Sequence, residues 1–257
     1  MSHQGVAAAF SDAATMIDRS VRLARRNVDT LFASILLPLL MMALYVYVFG
    51  GAIDTGTEYI NYVVPGILLL TTGYGAASTA MVVADDMSSG MIDRLRSLPI
   101  HRFAVLTGHV TASIARNATS TAIVILASLA MGFRPAASAL DWLAAIGLLL
   151  LYVLALSWLA AGLGAIAKSV ESASTMSFFM LFVPYLSSAF VRPESMPSWL
   201  RPISEHQPIT PVIETVRSLL IGTPMGSNGW VALAWCCGLL LFSVVLATWL
   251  YRRRTSH

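Results

Sequence analysis

The stretch WLAAIGLLLLYVLALSWLAAGLGAIA, residues 142–167, contains no Asp, Glu, Lys or Arg, and its reading decides the fold class. A helix needs about 20 predominantly apolar residues to cross the ~30 Å hydrocarbon core of a bilayer, and this run is longer than that. Charge-free runs recur at 30–53, 59–84, 117–133, 172–191 and 218–251. The run 117–133 is short, but 103–115 precedes it, so Arg116 interrupts one longer apolar stretch. Continuous runs of this length favour helices over the alternating segments of about ten residues that build a transmembrane barrel. The expectation is an all-α polytopic membrane protein with six transmembrane helices, at about 31–49, 63–84, 107–131, 142–166, 173–191 and 229–250.

Composition agrees with that class. The 257 residues are 57% hydrophobic and 11% charged, with mean hydropathy +0.74, whereas an average soluble domain is about 25% charged. A water-soluble fold could not hide this much apolar surface. The first apolar stretch is too long for a signal-peptide core and lacks a small-residue cleavage site, so it is expected to stay in the protein.

Orientation follows from the basic residues. With the N-terminus inside, Arg19, Arg22, Arg25, Arg26, Arg94, Arg96, Arg102, Lys168, Arg252, Arg253 and Arg254 are cytoplasmic and Arg116 leans the same way. Only Arg134, Arg192, Arg201 and Arg217 fall outside, and twelve against four is a strong positive-inside bias. The net charge of +3 is thus a topological signal rather than a nucleic-acid footprint. Both termini are expected in the cytoplasm, in a bacterial plasma (inner) membrane.

Residues 1–30 form the first organisational unit. Val6, Phe10, Ala13, Ile17, Val21, Ala24 and Val28 recur every three or four positions, with Arg19, Arg22 and Arg26 off the stripe. This predicts an amphipathic helix in the cytoplasmic interface; a positively charged flank that only fixes orientation is the alternative. The second unit, 31–250, carries the spans, and 251–257 is a basic cytoplasmic tail.

Between the second and third spans, 85–99 combines an apolar ridge with charge. Met91, Ile92, Leu95 and Leu98 share helical spacing, Asp93, Arg94 and Arg96 surround them, and Pro99 supplies a stop. Such a helix can seat its ridge in a groove of a soluble partner while its charges set the register. From the residues alone, a solvated connector is an equal alternative.

The longest connector, 192–228, is outside. Pro193, Pro197 and Trp199 mark a turn and an interfacial anchor, and Gln207 and Pro208 lead into an apolar-periodic stretch. Thr210 as cap, Pro211 at the first helical position and Gly222 after the last turn predict a short helix. Glu214 and Arg217 are placed on its polar side, so it is expected to half-enter the outer membrane surface; a lid over an outer opening is the alternative. Arg116 has two readings, snorkelling to the inner headgroups or facing the bundle interior.

Nothing in the sequence assembles an enzyme. His3, His101, His109, His206 and His257 have no metal-ligand spacing, and Cys236 and Cys237 are adjacent within a span, without acidic or His neighbours. Gly162 to Ser169 has the look of a phosphate loop but lacks the glycine before Lys168 and follows a membrane span. No cofactor is expected on this chain. Without a nucleotide loop, or the buried acids of ion-coupled pumps, any active transport must draw its energy from another subunit.

The chain resembles the ABC-2 type transporter permeases, and among them the daunorubicin-resistance-like group. The resemblance rests on Asp86, Met87, Gly90 and the run Asp93-Arg94-Leu95-Arg96-Ser97-Leu98-Pro99 after the second span. It rests also on the outer stretch from Ser188 through Pro197, Trp199 and Arg201 to Gln207, Pro208, Pro211, Glu214 and Arg217. Many such permeases carry an acid, Gly-Thr and a further acid before the proline; here Met91 replaces the Thr and Asp93 keeps the acid, as fits the drug-resistance group. The resemblance implies a permease homodimer joined to two copies of a separate ATP-binding subunit that holds ATP and magnesium. It implies also that 85–99 is the coupling helix, with Asp86, Gly90, Met91, Asp93, Arg94, Leu95, Leu98 and Pro99 carrying the contact. The cargo implied is a lipophilic or amphipathic drug or antibiotic, with a lipid or lipid-linked glycan as the alternative.

Overall fold

A helix that stays in lipid must satisfy every backbone N–H and C=O within itself, and the uninterrupted apolar runs of this chain do so. In a computed structural model of the chain, residues 28–53, 55–89 and 102–255 are described. The elements are α1 (Val28–Ala43, continued by a π turn at Leu44–Phe49), α2 (Tyr59–Ser88), α3 (Arg102–Ala130) and α4 (Ala139–Ile166). They are followed by α5 (Val170–Phe182, with a 3-10 turn at Val183–Leu186), α6 (Arg201–His206), α7 (Ile209–Ile221) and α8 (Asn228–Thr255). The interfacial helix expected over residues 1–30 lies almost entirely outside the described residues.

The expectation of six spans is corrected to four. Among the described residues, Tyr59–Ser88, Val105–Ala130, Ala139–Ile166 and Asn228–Arg254 are long and apolar enough to cross a membrane. The first and fifth charge-free runs yield only Ile35–Phe49 and Val170–Leu186 as shorter apolar helices. At 1.5 Å per residue these reach roughly 22–26 Å, less than the hydrocarbon thickness. The physical reason is that freedom from charge is not continuity of helix. The first run spends its last residues on the turn at Gly50 and Gly51, and the fifth leaves the α-conformation at Val183 and Pro184 and continues as bends through Ser187–Val191.

Capping fixes where two helices begin. Ser138 and Asp141 form a capping box on α4, and Ser169 and Ser172 form one on α5, which satisfies amide donors that an open helix start leaves unpaired. The α4 box holds the Asp141 carboxylate at the helix start, on the same end of the bundle as Arg134.

α2 is the central helix. It packs against α1, α3, α4, α5 and α7, and 83% of its apolar window is buried within the protein against 22% for α8. Small residues bring its neighbours close, the usual device where lipid offers no hydrophobic drive for helix pairing. A side-chain carbon at Gly164 of α4 would fall 2.4 Å from the Ala80 carbonyl oxygen and 2.9 Å from Val83 Cβ. At Gly162 it would fall 2.9 Å from Ala247 Cα of α8. One face of the α4 terminus is therefore cut for α2 and the other for α8.

Candidate functional site: a buried polar cluster, an arginine clasp and a lateral cleft

Arg116 stands at the middle of the 29-residue α3, roughly 21 Å from either end, too far in to snorkel. Its side chain turns into the bundle and is 8% exposed. Nη2 donates to Thr79 Oγ1 at 2.9 Å and approaches the Gly75 carbonyl at 3.5 Å, both on α2. Thr79 Oγ1 in turn donates to Ser113 Oγ at 2.7 Å, and Ser113 and Ser157 hydroxyls meet at 2.8 Å. Asn117 Nδ2 donates to the Ser113 carbonyl at 3.0 Å. The cluster thus ties α2, α3 and α4 together at one depth.

Gly75 makes the approach possible, since a Cβ there would lie 2.1 Å from Asn117 Oδ1. Hydroxyl and carbonyl partners neutralise no charge, and an arginine at the centre of a spanning helix costs about 2.5–3.5 kcal/mol on insertion scales. Replacing Thr79 with the isosteric valine leaves the Arg116 guanidinium only the long contact to Gly75. The expected loss is about 1–3 kcal/mol, read as a lower thermal midpoint of the purified protein; an unchanged midpoint would mean that water or lipid already serves the guanidinium.

Nearer the other end of α2, Asp86 Oδ2 lies 3.3 Å from His109 Nε2 of α3. The pair joins the last turn of α2 to α3 at the point where the chain leaves for the segment 90–101. Gly90, Met91, Asp93, Arg94, Leu95, Leu98 and Pro99 lie outside the described residues, so Asp86 alone of the expected coupling residues has a described position.

At the opposite end, Arg217 of α7 gathers three elements. Its Nε donates to the Tyr62 carbonyl at 3.1 Å, Nη2 to the Ser188 carbonyl at 2.8 Å, and Nη1 pairs with Glu214. The guanidinium also lies 3.8 Å over the Tyr62 ring. Tyr62 Oη donates to the same Ser188 carbonyl at 2.9 Å, and Tyr59 Oη to the Phe190 carbonyl at 2.9 Å. These donors serve the backbone that the bends after α5 set free, which is the condition for irregular chain at membrane depth.

This clasp revises the reading of the outer helix. α7 begins at Ile209 after Pro208, so Pro211 sits inside the first turn, and Thr210 donates to the Ser204 carbonyl at 2.6 Å instead of capping. Its end is as expected, with Gly222 left-handed at φ 77°. Its charged pair is drawn into the protein: Pro211 and Arg217 are buried, Arg217 is 7% exposed, and Glu214 is half-buried. Gln207 Nε2 donates to Thr210 Oγ1 at 3.3 Å. Trp199, by contrast, is 71% exposed. Outside the helices' cover, the Arg201–Glu205 pair at 2.7 Å pushes the Arg201 guanidinium pKa up.

A lateral cleft of about 390 Å³ opens between α1, α2 and α5, walled by Leu36, Leu40, Tyr74, Met81 and Phe178 with Ser78 and Ser177 among them. Among the described residues no charged side chain lines it. Among the described residues no three His, Cys, Asp or Glu side chains gather as a metal site.

Comparison with known proteins decides the family. The model of the ABC-2 type transporter family matches residues 12–221, most of the chain. This chain belongs to the ABC-2 type transporter family. An ABC-2 permease is a non-catalytic membrane component, and family membership implies pairing with an ATP-binding subunit. Among its relatives is a daunorubicin resistance ABC transporter permease protein of Streptomyces coeruleorubidus, 29% identical over 87% of this chain and 80% of that protein. A protein of Mycobacterium tuberculosis that carries the name of a doxorubicin resistance ABC transporter permease is 26% identical over 90% of this chain and 85% of its own. A protein of Porphyra purpurea that carries the name of a transport permease is 26% identical over 88% and 82%.

The residues that sequence reasoning missed are Tyr59, Tyr62, Thr79, Ser113, Ser157 and the Asp86–His109 pair. The spacing of Ser113 and Asn117, four apart on one helix face, was a usable signal for the polar cluster. Nothing local marks the tyrosines, whose partners are more than 120 residues away.

Proposed function

We propose that this ABC-2 permease works as a pair of copies with two copies of a separate ATP-binding subunit, exporting lipophilic or amphipathic compounds from the cell. The observation that carries the reading is the family match over residues 12–221, joined to relatives named for daunorubicin and doxorubicin resistance. The half-open, uncharged cleft between α1, α2 and α5 supports an apolar pathway, and a second copy set against α1 and α5 would close its open side. Surfaces rich in Leu, Met and Phe adapt to varied apolar shapes with little polar desolvation. The basic ends of α3 and α8, with Lys168, face the cytoplasm in this reading.

Coupling is assigned to Asp86–Pro99. A permease that hydrolyses nothing receives work only through contact, and that contact needs an apolar ridge, here Met91, Leu95 and Leu98, with Asp93 and Arg94 fixing its register. Gly90 allows a close turn after α2 and Pro99 stops the helix. The Asp86–His109 pair stiffens the root from which the segment leaves. Leu95→Ala is expected to remove about 1.5–3 kcal/mol of burial and weaken assembly with the ATP-binding subunit by about tenfold or more. Asp93→Lys is expected to lower cargo-stimulated ATP hydrolysis while membrane insertion stays normal. Co-purification and hydrolysis measured together test both; wild-type behaviour in both variants would reduce the segment to a connector.

A further inference from the structure

The guanidinium of Arg116 carries more charge than its contacts use. Nη2 is spent on Thr79 Oγ1 and the Gly75 carbonyl, while Nε has no partner. A neutral glutamine could make the same bonds without bringing a charge to mid-membrane. Among the described residues no carboxylate pairs with it: Asp86 is at His109, Glu205 at Arg201 and Glu214 at Arg217. Among the described residues the Arg116 guanidinium therefore has no counter-charge, in a medium that screens it poorly.

That charge lies close behind the lateral cleft. The Gly75 carbonyl approached by Arg116 also accepts from Ser78 Oγ at 2.8 Å, and Ser78 lines the cleft. The link between the guanidinium and the cleft wall thus runs through one carbonyl of α2. The cleft wall also contains Ser177, 1% exposed, whose hydroxyl has no hydrogen-bond partner. Among the described residues the cleft is uncharged, has an idle hydroxyl and is backed by a cation without a counter-charge, which suits a ligand with an acidic oxygen head on an apolar body.

We propose that the cleft between α1, α2 and α5 takes amphiphiles with an anionic headgroup, a phosphate or carboxylate. In it Ser177 donates to the headgroup, and Arg116 acts through the α2 backbone as a specificity-determining, positioning residue. The proposal deepens the export reading by naming the charge class of its cargo, and rests on that reading only for the movement, not for the binding.

The test uses the purified full chain in nanodiscs and two fluorescent probes with identical acyl chains, one with a phosphate and one with a trimethylammonium headgroup. Fluorescence polarisation is expected to show the phosphate probe bound at least tenfold more tightly by the wild type. Arg116→Lys keeps the preference, Arg116→Gln brings the two affinities within about twofold, and equimolar inorganic phosphate does not displace the lipid probe. Equal affinities, cationic preference or no binding by the wild type overturns the proposal whether or not Arg116→Gln folds. So does an unchanged ratio in a folded Arg116→Gln, and displacement by inorganic phosphate marks a free-anion site and overturns the amphiphile claim. A preserved preference without ATP-driven movement of either probe supports the site and counts against export.

Discussion

Gly164→Val is expected to strip most of the assembled permease from the membrane. The new Cβ would meet the Ala80 carbonyl oxygen at 2.4 Å and Ala80 Cα at 3.0 Å, and backbone has no rotamer by which to retreat. α4 would have to move away from α2, the helix at the centre of the bundle. Overpacking costs typically about 1–3 kcal/mol when side chains can yield; here the loss should exceed that range because the obstacle is backbone on a central element. Gly147→Val on the same helix is the control, since nothing lies within 4 Å of a Cβ there. Membrane-fraction yield and monodispersity in detergent check the pair, with Gly164→Val depleted and Gly147→Val near wild type. Equal yields would mean that α4 and α2 do not cross as closely as described.

Arg217→Ala is expected to undo the outer clasp. Truncation removes the donors that reach the Tyr62 and Ser188 carbonyls and leaves Glu214 without its ion partner. Hydrogen bonds made by a charged group are worth about 1.5–3 kcal/mol each, so losing the two to backbone carbonyls removes roughly 3–6 kcal/mol. Tyr62 Oη still serves Ser188, so the bend is expected to be partly retained. Arg217→Lys should recover little, because an ammonium lacks the planar fork that reaches two carbonyls at once. Thermal midpoint and limited proteolysis from the α7 side give the readout: both variants destabilised, with cleavage near Ser187–Val191 rising. A stable Arg217→Lys would show that charge beside Glu214, and not the bidentate reach to backbone, holds the outer end.

The four spanning helices were legible because their apolar runs are unbroken by Pro-led turns near an end, and the observed bounds fall within a few residues of those expected. α1 and α5 were over-read for one reason: absence of charge is shared by helices and by bends whose carbonyls find protein partners. Tyr59, Tyr62 and Arg217 supply those partners to Ser188 and Phe190 from positions far away in the chain, so the bend cannot be inferred from its own neighbourhood. The same long-range bonding explains why Arg217 is buried and not on a solvated face. Arg116 had two readings on helical spacing alone; the Thr79 hydroxyl facing it from α2 selects the interior one. Of the expected coupling residues only Asp86 is described, and its His109 partner sits on the next helix, where sequence distance gives no cue.

The central claim, that this ABC-2 permease moves amphiphiles by work received from an ATP-binding subunit, is tested most directly in vesicles. The permease, reconstituted with its ATP-binding subunit, is supplied with a fluorescent amphiphile and either ATP and magnesium or a non-hydrolysable ATP analogue. Accumulation of the amphiphile across the membrane that needs both subunits and hydrolysable ATP is the predicted result. Accumulation driven by the permease alone under an imposed ion gradient, with no response to ATP, would contradict the account.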